Sequence, residues 1–195
     1  MKIETIGVVG AGQMGSGIAE VALSSGFKVL MRDITQEAIA RGKSRITTDF
    51  DRRIQKGKMT SEEKETILKR LSTTTKLEDF GKCDFVIEAA IENIPLKEEV
   101  FNTLDEITRK EVILASNTSS ISITRIASVT RRPDRVIGMH FFNPAPLMRL
   151  VEVIRGFHTN DETIATTMQL TRKMGKEPVE VKKDTPGFLV NRLMI

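Results

Sequence analysis

The stretch Thr5-Ile6-Gly7-Val8-Val9-Gly10-Ala11-Gly12-Gln13-Met14-Gly15-Ser16-Gly17 leaves few folds open to the chain that carries it. Ile6, Val8 and Val9 form a short apolar run rich in β-branched residues, the pattern of a buried parallel strand. Glycines follow at once in the order G-x-G-x-x-G. Ile18, Ala19, Val21, Ala22 and Leu23 then recur at helical spacing until Gly26 stops the helix. In such a unit Gly10 permits the tight turn, Gly12 leaves the backbone open to a pyrophosphate, and Gly15 lets the helix pack close to the strand. The helix N-terminus offers unpaired N–H groups and a positive dipole end to phosphates. A glycine-rich turn alone is common, and its context narrows the reading. A second strand, Lys28-Val29-Leu30-Met31, leads to Asp33. That acid lies about 20 residues beyond the glycines, where a dinucleotide's ribose hydroxyls are received. A carboxylate there repels a 2′-phosphate, so NAD is expected rather than NADP, although Arg32 adjoins it.

Composition narrows the class. A chain of 195 residues can bury one sizeable core, and 39% hydrophobic with 29% charged residues is ordinary for a soluble globular protein. The net charge of +4 suits an anionic ligand or scattered surface lysines equally well. The basic residues are interleaved with acids, and no nucleic-acid signature is present. The single cysteine, Cys83, rules out an internal disulfide framework and reads as a buried structural thiol in a reducing compartment. No stretch approaches the roughly 18 apolar residues of a membrane span. The first strand begins too early for a leader peptide, so the cytoplasm is the expected compartment.

Taken in order, Thr35 to about Lys56 reads as a long helix capped by Thr35, with Ile39, Ile46, Phe50 and Ile54 as its apolar positions. Its basic side chains, among them Arg45, Arg52, Arg53 and Lys56, form either a solvated face or a landing surface for phosphate. Thr60-Ser61-Glu62-Glu63 opens a helix running to about Leu71, and Thr73 to Thr75 is a short strand candidate. Asp84 to Ala90 is a buried strand, followed by a helix from about Ile94 to Arg109. Val112 to Ala115 is a strand ending in Ser116-Asn117-Thr118-Ser119-Ser120, and a short helix covers about Ser122 to Ser128. Val136 to Met139 is a strand that delivers His140-Phe141-Phe142-Asn143-Pro144. Leu150 to Ile154 is strand-like, Thr163 to Met174 helical, and Pro178 to Val181 a last short strand. This alternation implies an α/β fold with a doubly wound parallel sheet. Ligands of such sheets bind beyond the carboxyl ends of the strands, where every polar cluster named here falls. On its own, His140 reads as a satisfied core histidine as readily as a base. Glu152, between Val151 and Val153, could point to solvent or inward, and Ser119 could simply cap the next helix.

Several motifs in register carry a resemblance: Gly10-Ala11-Gly12-Gln13-Met14-Gly15, Ser116 to Ser120, His140 to Pro144, Leu150 to Ile154, Asp184-Thr185-Pro186-Gly187-Phe188 and Val190-Asn191-Arg192. Together they resemble the L-3-hydroxyacyl-CoA dehydrogenases, nearest the bacterial 3-hydroxybutyryl-CoA dehydrogenases, over essentially the whole chain. The resemblance implies a Rossmann-type, mostly parallel sheet with an inserted helical pair. It implies reversible hydride transfer between NAD and C3 of a 3-hydroxyacyl-CoA, in fatty acid or butanoate metabolism. His140 matches the general base, Glu152 the residue that holds its imidazole, and Ser119 and Asn191 the residues that orient substrate. Cofactor contacts map to Gly10, Gly12, Gln13, Met14, Gly15, Asp33, Glu92, Lys97, Asn117, Ser119 and Asn143. CoA contacts map to Lys56 and Ser119, while Asp49 stands where the family has a second CoA-binding serine.

The chemistry is coherent in its own right. Imidazoles ordinarily titrate near pH 6.5, and a carboxylate on the far nitrogen fixes the tautomer. No metal is required, and the two histidines make no ligand cluster. Phe141 and Phe142 read as packing residues. The expected organisation is an NAD-binding domain over 1–185 and, from 186–195, the start of a helical domain that family members carry, which closes over substrate and makes a homodimer. The tail from Phe188 to Ile195 is expected to fray, dock on a neighbouring chain or rearrange. Two other readings remain: a cofactor-binding unit without turnover, and a related hydroxyacid or sugar-acid dehydrogenase.

Overall fold

Strand β1 (Thr5–Val9) sits inside an eight-stranded sheet. The computed structural model describes residues 2–193. From β1 the chain runs through α1 (Gln13–Ser24) to β2 (Lys28–Arg32), then through the inserted pair α2 (Gln36–Gln55) and α3 (Ser61–Leu68) to β3 (Leu71–Thr74). A single 3-10 turn (Leu77–Lys82) returns it to β4 (Phe85–Glu88) on the other side of β1. Then follow α4 (Ile94–Ile107), β5 (Ile113–Ser116), α5 (Ile123–Ala127) and β6 (Val136–Phe141). Strands β1 to β6 pair in parallel. Their order, β3-β2-β1-β4-β5-β6, reverses at β1, which opens a crevice between the carboxyl ends of β1 and β4.

The last part departs from a purely parallel sheet. No helix separates β6 from β7 (Leu150–Ile154), so the chain turns straight back and the two pair antiparallel. Helix α6 (Asp161–Lys173) then carries it to β8 (Glu177–Val181), parallel to β7.

Side-chain alternation builds the core on both faces. Ile6 and Val8 pack with α1 and with Ile46 and Phe50 of α2, whereas Val9 packs with Phe80, Cys83 and Val100, Phe101 and Leu104 of α4. Cys83 is wholly buried, and burial first, then neighbouring Asp84, pushes its thiol up to about 12, so it stays an unreactive packing group. Helix starts follow the local signals: the Thr35 hydroxyl accepts from the Ala38 amide, and Thr60 with Glu63 completes a capping box.

Several boundaries shift by a residue or more, and three of the differences have a clear physical cause. Helix α3 ends at Leu68, because the Arg70 carbonyl takes the Val29 amide at 2.9 Å and Leu71 joins the sheet opposite Val29. Strand β6 runs on to Phe141, so His140 lies inside a strand. The tail does not peel away at Phe188. Asp184 accepts hydrogen bonds from Ser122 Oγ and the Ile123 and Thr124 amides, capping α5 from about sixty residues away in sequence. Phe188, only 2% exposed, sits in the core cluster beside α4 and α5 despite a left-handed backbone (φ 49°). Burying its ring offsets a strain that bulky residues rarely accept. Beyond it a short helix α7 (Val190–Leu193) leaves Leu193 80% exposed. The expectation for Met194 and Ile195 lies outside the described residues. No described helix is long and apolar enough to cross a membrane.

Candidate active site

The glycine turn is built as its spacing requires. Gly10 adopts φ +105°, a conformation L side chains rarely adopt, and a Cβ on Gly15 would lie 2.0 Å from the Gly10 carbonyl oxygen. The turn therefore exists only if α1 packs directly on it. A Cβ on Gly12, by contrast, would meet nothing within 4 Å, so the space above that backbone is free for a ligand. Asp33, at the end of β2, accepts the Ala11 amide at 2.7 Å and lines a hollow of about 190 Å³ with Gly10, Gly12, Ala89, Ala90 and Ile91. Arg32 instead turns its Nε to the Thr75 carbonyl. Open backbone, a helix N-terminus and an acid at the second strand's end fit a dinucleotide.

The adjoining cleft, about 420 Å³, is lined by Gly12, Gln13, Met14, Glu92, Asn117, Ser119, His140, Phe142 and Asn143 among others. Eight of the expected site residues thus share one cleft at the carboxyl ends of β1, β4, β5 and β6. Gln13 Nε2 donates to Asn143 Oδ1 at 3.0 Å, and Asn117 Oδ1 accepts the Phe141 amide at 2.8 Å. Ser119 does not cap α5; Ser122 does, and Ser119 gives its amide to Glu92 at 3.0 Å.

His140 and Glu152 meet because β6 and β7 are antiparallel. They are directly opposed in the register, so their side chains stand on the same face of the sheet. His140 Nδ1 lies 2.7 Å from Glu152 Oε2. The second oxygen, Oε1, accepts the Leu189 and Val190 amides at 3.0 and 2.8 Å. Glu152 is fully buried, which pushes its carboxyl up, but the bonds from His140, Val190 and Leu189 outweigh that and hold it below the usual carboxylate range. With Nδ1 committed, Nε2 is left for the cleft. The rings of Phe142 and Phe188 flank the imidazole at 4.6 and 5.9 Å.

A depressed carboxyl has a signed consequence for stability. Its contribution is complete above the unfolded value, about 4.3, and is lost as pH falls toward the folded one. Urea midpoints of the native chain and Glu152→Gln are therefore expected to differ most at neutral pH and to converge below about pH 4. A gap that stays constant into acid would show that the carboxyl is not stabilised by these bonds.

Other expected residues lie elsewhere. Glu152 stands behind His140, and Gly15 beneath the turn. Lys97 is fully buried behind Glu92 and does not line the cleft. Asn191 sits half-buried on α7, outside the cleft lining, and Lys56 is exposed at the end of α2. Asp49 lines a neighbouring groove of about 290 Å³ between α1, α2 and the loop after β6, which shares Gln13 and Asn143 with the cleft. On the basic helix, Arg45 donates to the Ala11 carbonyl at 3.2 Å and Arg53 pairs with Glu20 and Asp49, so only part of its charge is free to solvent.

Sequence reasoning missed three supports. Thr118 Oγ1 donates to Glu92 and accepts the Ile121 amide. Buried Lys176 braces the loop after β6 through the Ala145 and Met148 carbonyls at 2.6 and 2.8 Å. Glu88 is a wholly buried acid ending an otherwise apolar strand, and that oddity was its signal.

Residues 5–185 match the model of the 3-hydroxyacyl-CoA dehydrogenase NAD-binding domain. A probable 3-hydroxybutyryl-CoA dehydrogenase of Bacillus subtilis (strain 168) is 51% identical over 195 residues, 100% of this chain and 68% of that protein. A 3-hydroxybutyryl-CoA dehydrogenase of Clostridioides difficile is 45% identical over 97% of this chain and 67% of its own length. The crystal structure of (S)-3-hydroxybutyryl-CoA dehydrogenase from Ralstonia eutropha superposes with a TM-score of 0.96 at 48% identity, covering 99% of this chain and 68% of that one. The chain thus spans about two thirds of these relatives. It belongs to the 3-hydroxyacyl-CoA dehydrogenase family, and residues 5–185 are its NAD-binding domain.

Proposed function

We propose that this chain carries the cofactor site and the acid–base pair of a cytoplasmic oxidoreductase that interconverts (S)-3-hydroxyacyl-CoA and 3-oxoacyl-CoA, with 3-hydroxybutyryl-CoA the preferred substrate. The observation that carries the reading is the His140–Glu152 pair, which opens on the same cleft as the glycine turn. NAD, when bound, supplies the acceptor and donor of the hydride.

The chain's own residues do the rest. His140 Nε2 takes the proton of the C3 hydroxyl during oxidation and returns it during reduction. Glu152 fixes the Nδ1–H tautomer and stabilises the imidazolium that forms. Ser119 and Asn191 orient the C3 oxygen and the thioester. Asp33 holds the adenosine ribose. Glu92, with Lys97 behind it, faces the nicotinamide ribose, and Gln13 and Asn143 close the cleft's rim. The CoA moiety runs toward the groove along α2, past Asp49 and on to Lys56. The step belongs to fatty acid oxidation or butanoate metabolism. In this reading the further helices of a homodimeric parent rest on Leu147, Leu189 and Leu193, which are exposed.

The test is consumption of NADH with acetoacetyl-CoA, compared with free acetoacetate. The thioester is expected to turn over and the free acid not. Equal use of both would favour a hydroxyacid dehydrogenase. NADH binding with no consumption of either would leave a cofactor-binding unit without turnover. The chain has no Trp and no Tyr, so NADH fluorescence reports binding with little background.

A further inference from the structure

Glu88 ends β4 with a fully buried carboxylate that the acid–base step at His140 does not use. Both its oxygens are taken by donors. Oε1 accepts the Ala90 amide and Lys97 Nζ, each at 2.7 Å, and Oε2 accepts Ser116 Oγ at 2.7 Å. Lys97, 0% exposed, also reaches Glu92 Oε2 at 3.4 Å and the Ala90 carbonyl at 3.5 Å. Glu92 in turn receives the Thr118 hydroxyl and the Ser119 amide, and its side chain is 38% exposed to the cleft. The three groups form a line from the sheet's interior to the cleft wall.

Two carboxyl groups share one ammonium, so the line holds one acid in excess. Neutrality would have needed only one acid, and a single buried pair would already anchor α4 to β4. The surplus charge is delivered at Glu92, whose carboxyl is pushed up by burial but pulled further down by Thr118, Lys97 and Ser119. Oxidised and reduced dinucleotide differ by one positive charge on the ring that would occupy this cleft. A fixed negative charge beside it discriminates between them, and in a partly desolvated cleft that charge acts over several ångströms.

We propose that Glu88 is a positioning and charge-setting residue: through Lys97 and Glu92 it keeps an acid in excess beside the ring and so shifts the balance of affinities toward the oxidised dinucleotide, relative to a neutral line. The inference rests on the assignment of this cleft to the nicotinamide end of NAD.

The experiment measures dissociation constants of NAD⁺ by calorimetry and of NADH by fluorescence, for the native chain, Glu88→Gln and Glu92→Gln. Both variants make the line neutral, one from the buried end and one from the exposed end, so a folding failure of Glu88→Gln leaves the second variant to decide. The ratio Kd(NADH)/Kd(NAD⁺) is expected to fall roughly three- to tenfold in each, as for a unit charge removed across a partly solvated cleft. A merely structural role would weaken both forms equally and leave the ratio unchanged, and that result overturns the proposal while sparing the cofactor assignment. Failure of the native chain to bind either form would overturn both.

Discussion

Glutamine in place of His140 is expected to lower the rate of acetoacetyl-CoA reduction by roughly 10²–10⁴-fold, the usual worth of a positioned acid–base group. NADH affinity should hold within about twofold, because the dinucleotide site is built mainly from other elements. Glutamine can still donate to Glu152, so the buried carboxylate keeps a partner and the fold should survive. Glu152→Gln should cost less than His140→Gln, since it removes the orienting group and leaves the base. The double variant should be no worse than His140→Gln alone, because the two residues act as one unit. Full turnover by His140→Gln would sink the catalytic assignment.

Gly15→Ala is expected to fail at an earlier stage. The new methyl would lie 2.0 Å from the Gly10 carbonyl oxygen and 2.7 Å from its carbon, and both are backbone atoms held by a turn with φ +105°. No side-chain rotation relieves that overlap, so α1 must lift away from β1. Overpacking of this severity should cost about 3 kcal/mol or more, which corresponds to a fall in Tm of roughly 6–12 °C for a domain of this size. Gly12→Ala is the informative contrast. Its methyl projects into open space, and the backbone there (φ −66°, ψ −167°) suits alanine. That variant should melt like the native chain yet bind NADH roughly tenfold more weakly, because the methyl occupies the pyrophosphate's approach. Equal loss of stability in the two variants would mean that neither glycine has the role its position suggests.

Much of this was legible because it is local. The apolar runs of β1, β4, β5 and β6, the glycine turn and the caps at Thr35 and Thr60 are each set by residues within a few positions of one another. Asp33, though distant from the glycines, was legible from its spacing. The His140–Glu152 pair emerged from the motif match; periodicity left Glu152 equally free to point outward. Only the antiparallel return of β7 settles its direction, and the sign that β7 would reverse is an absence: no helix between β6 and β7. Lysine is so rarely buried that nothing in the neighbourhood of Lys97 marked it as an interior residue. It lies inside because Glu88 and Glu92 both take its ammonium, a closure that appears only once the loop after β4 folds α4 back over the strand's end. The tail's attachment was hidden for a similar reason. Asp184 caps α5 through Ser122, Ile123 and Thr124, and Phe188 fills a core whose other members lie far back in the chain.

The two amides that grip Glu152 belong to Leu189 and Val190, just beyond Gly187. The hold on the His140–Glu152 pair is therefore mechanically linked to the chain's path out of the sheet. Swinging that path by an ångström or so about Gly187 would strip the carboxylate of two donors and strengthen its pull on the imidazolium proton. Anything that pulls on the polypeptide after residue 190 has a direct line to the carboxylate that holds His140. Chemistry at one end of the cleft and geometry at the exit of the domain are thereby set by the same pair of peptide groups.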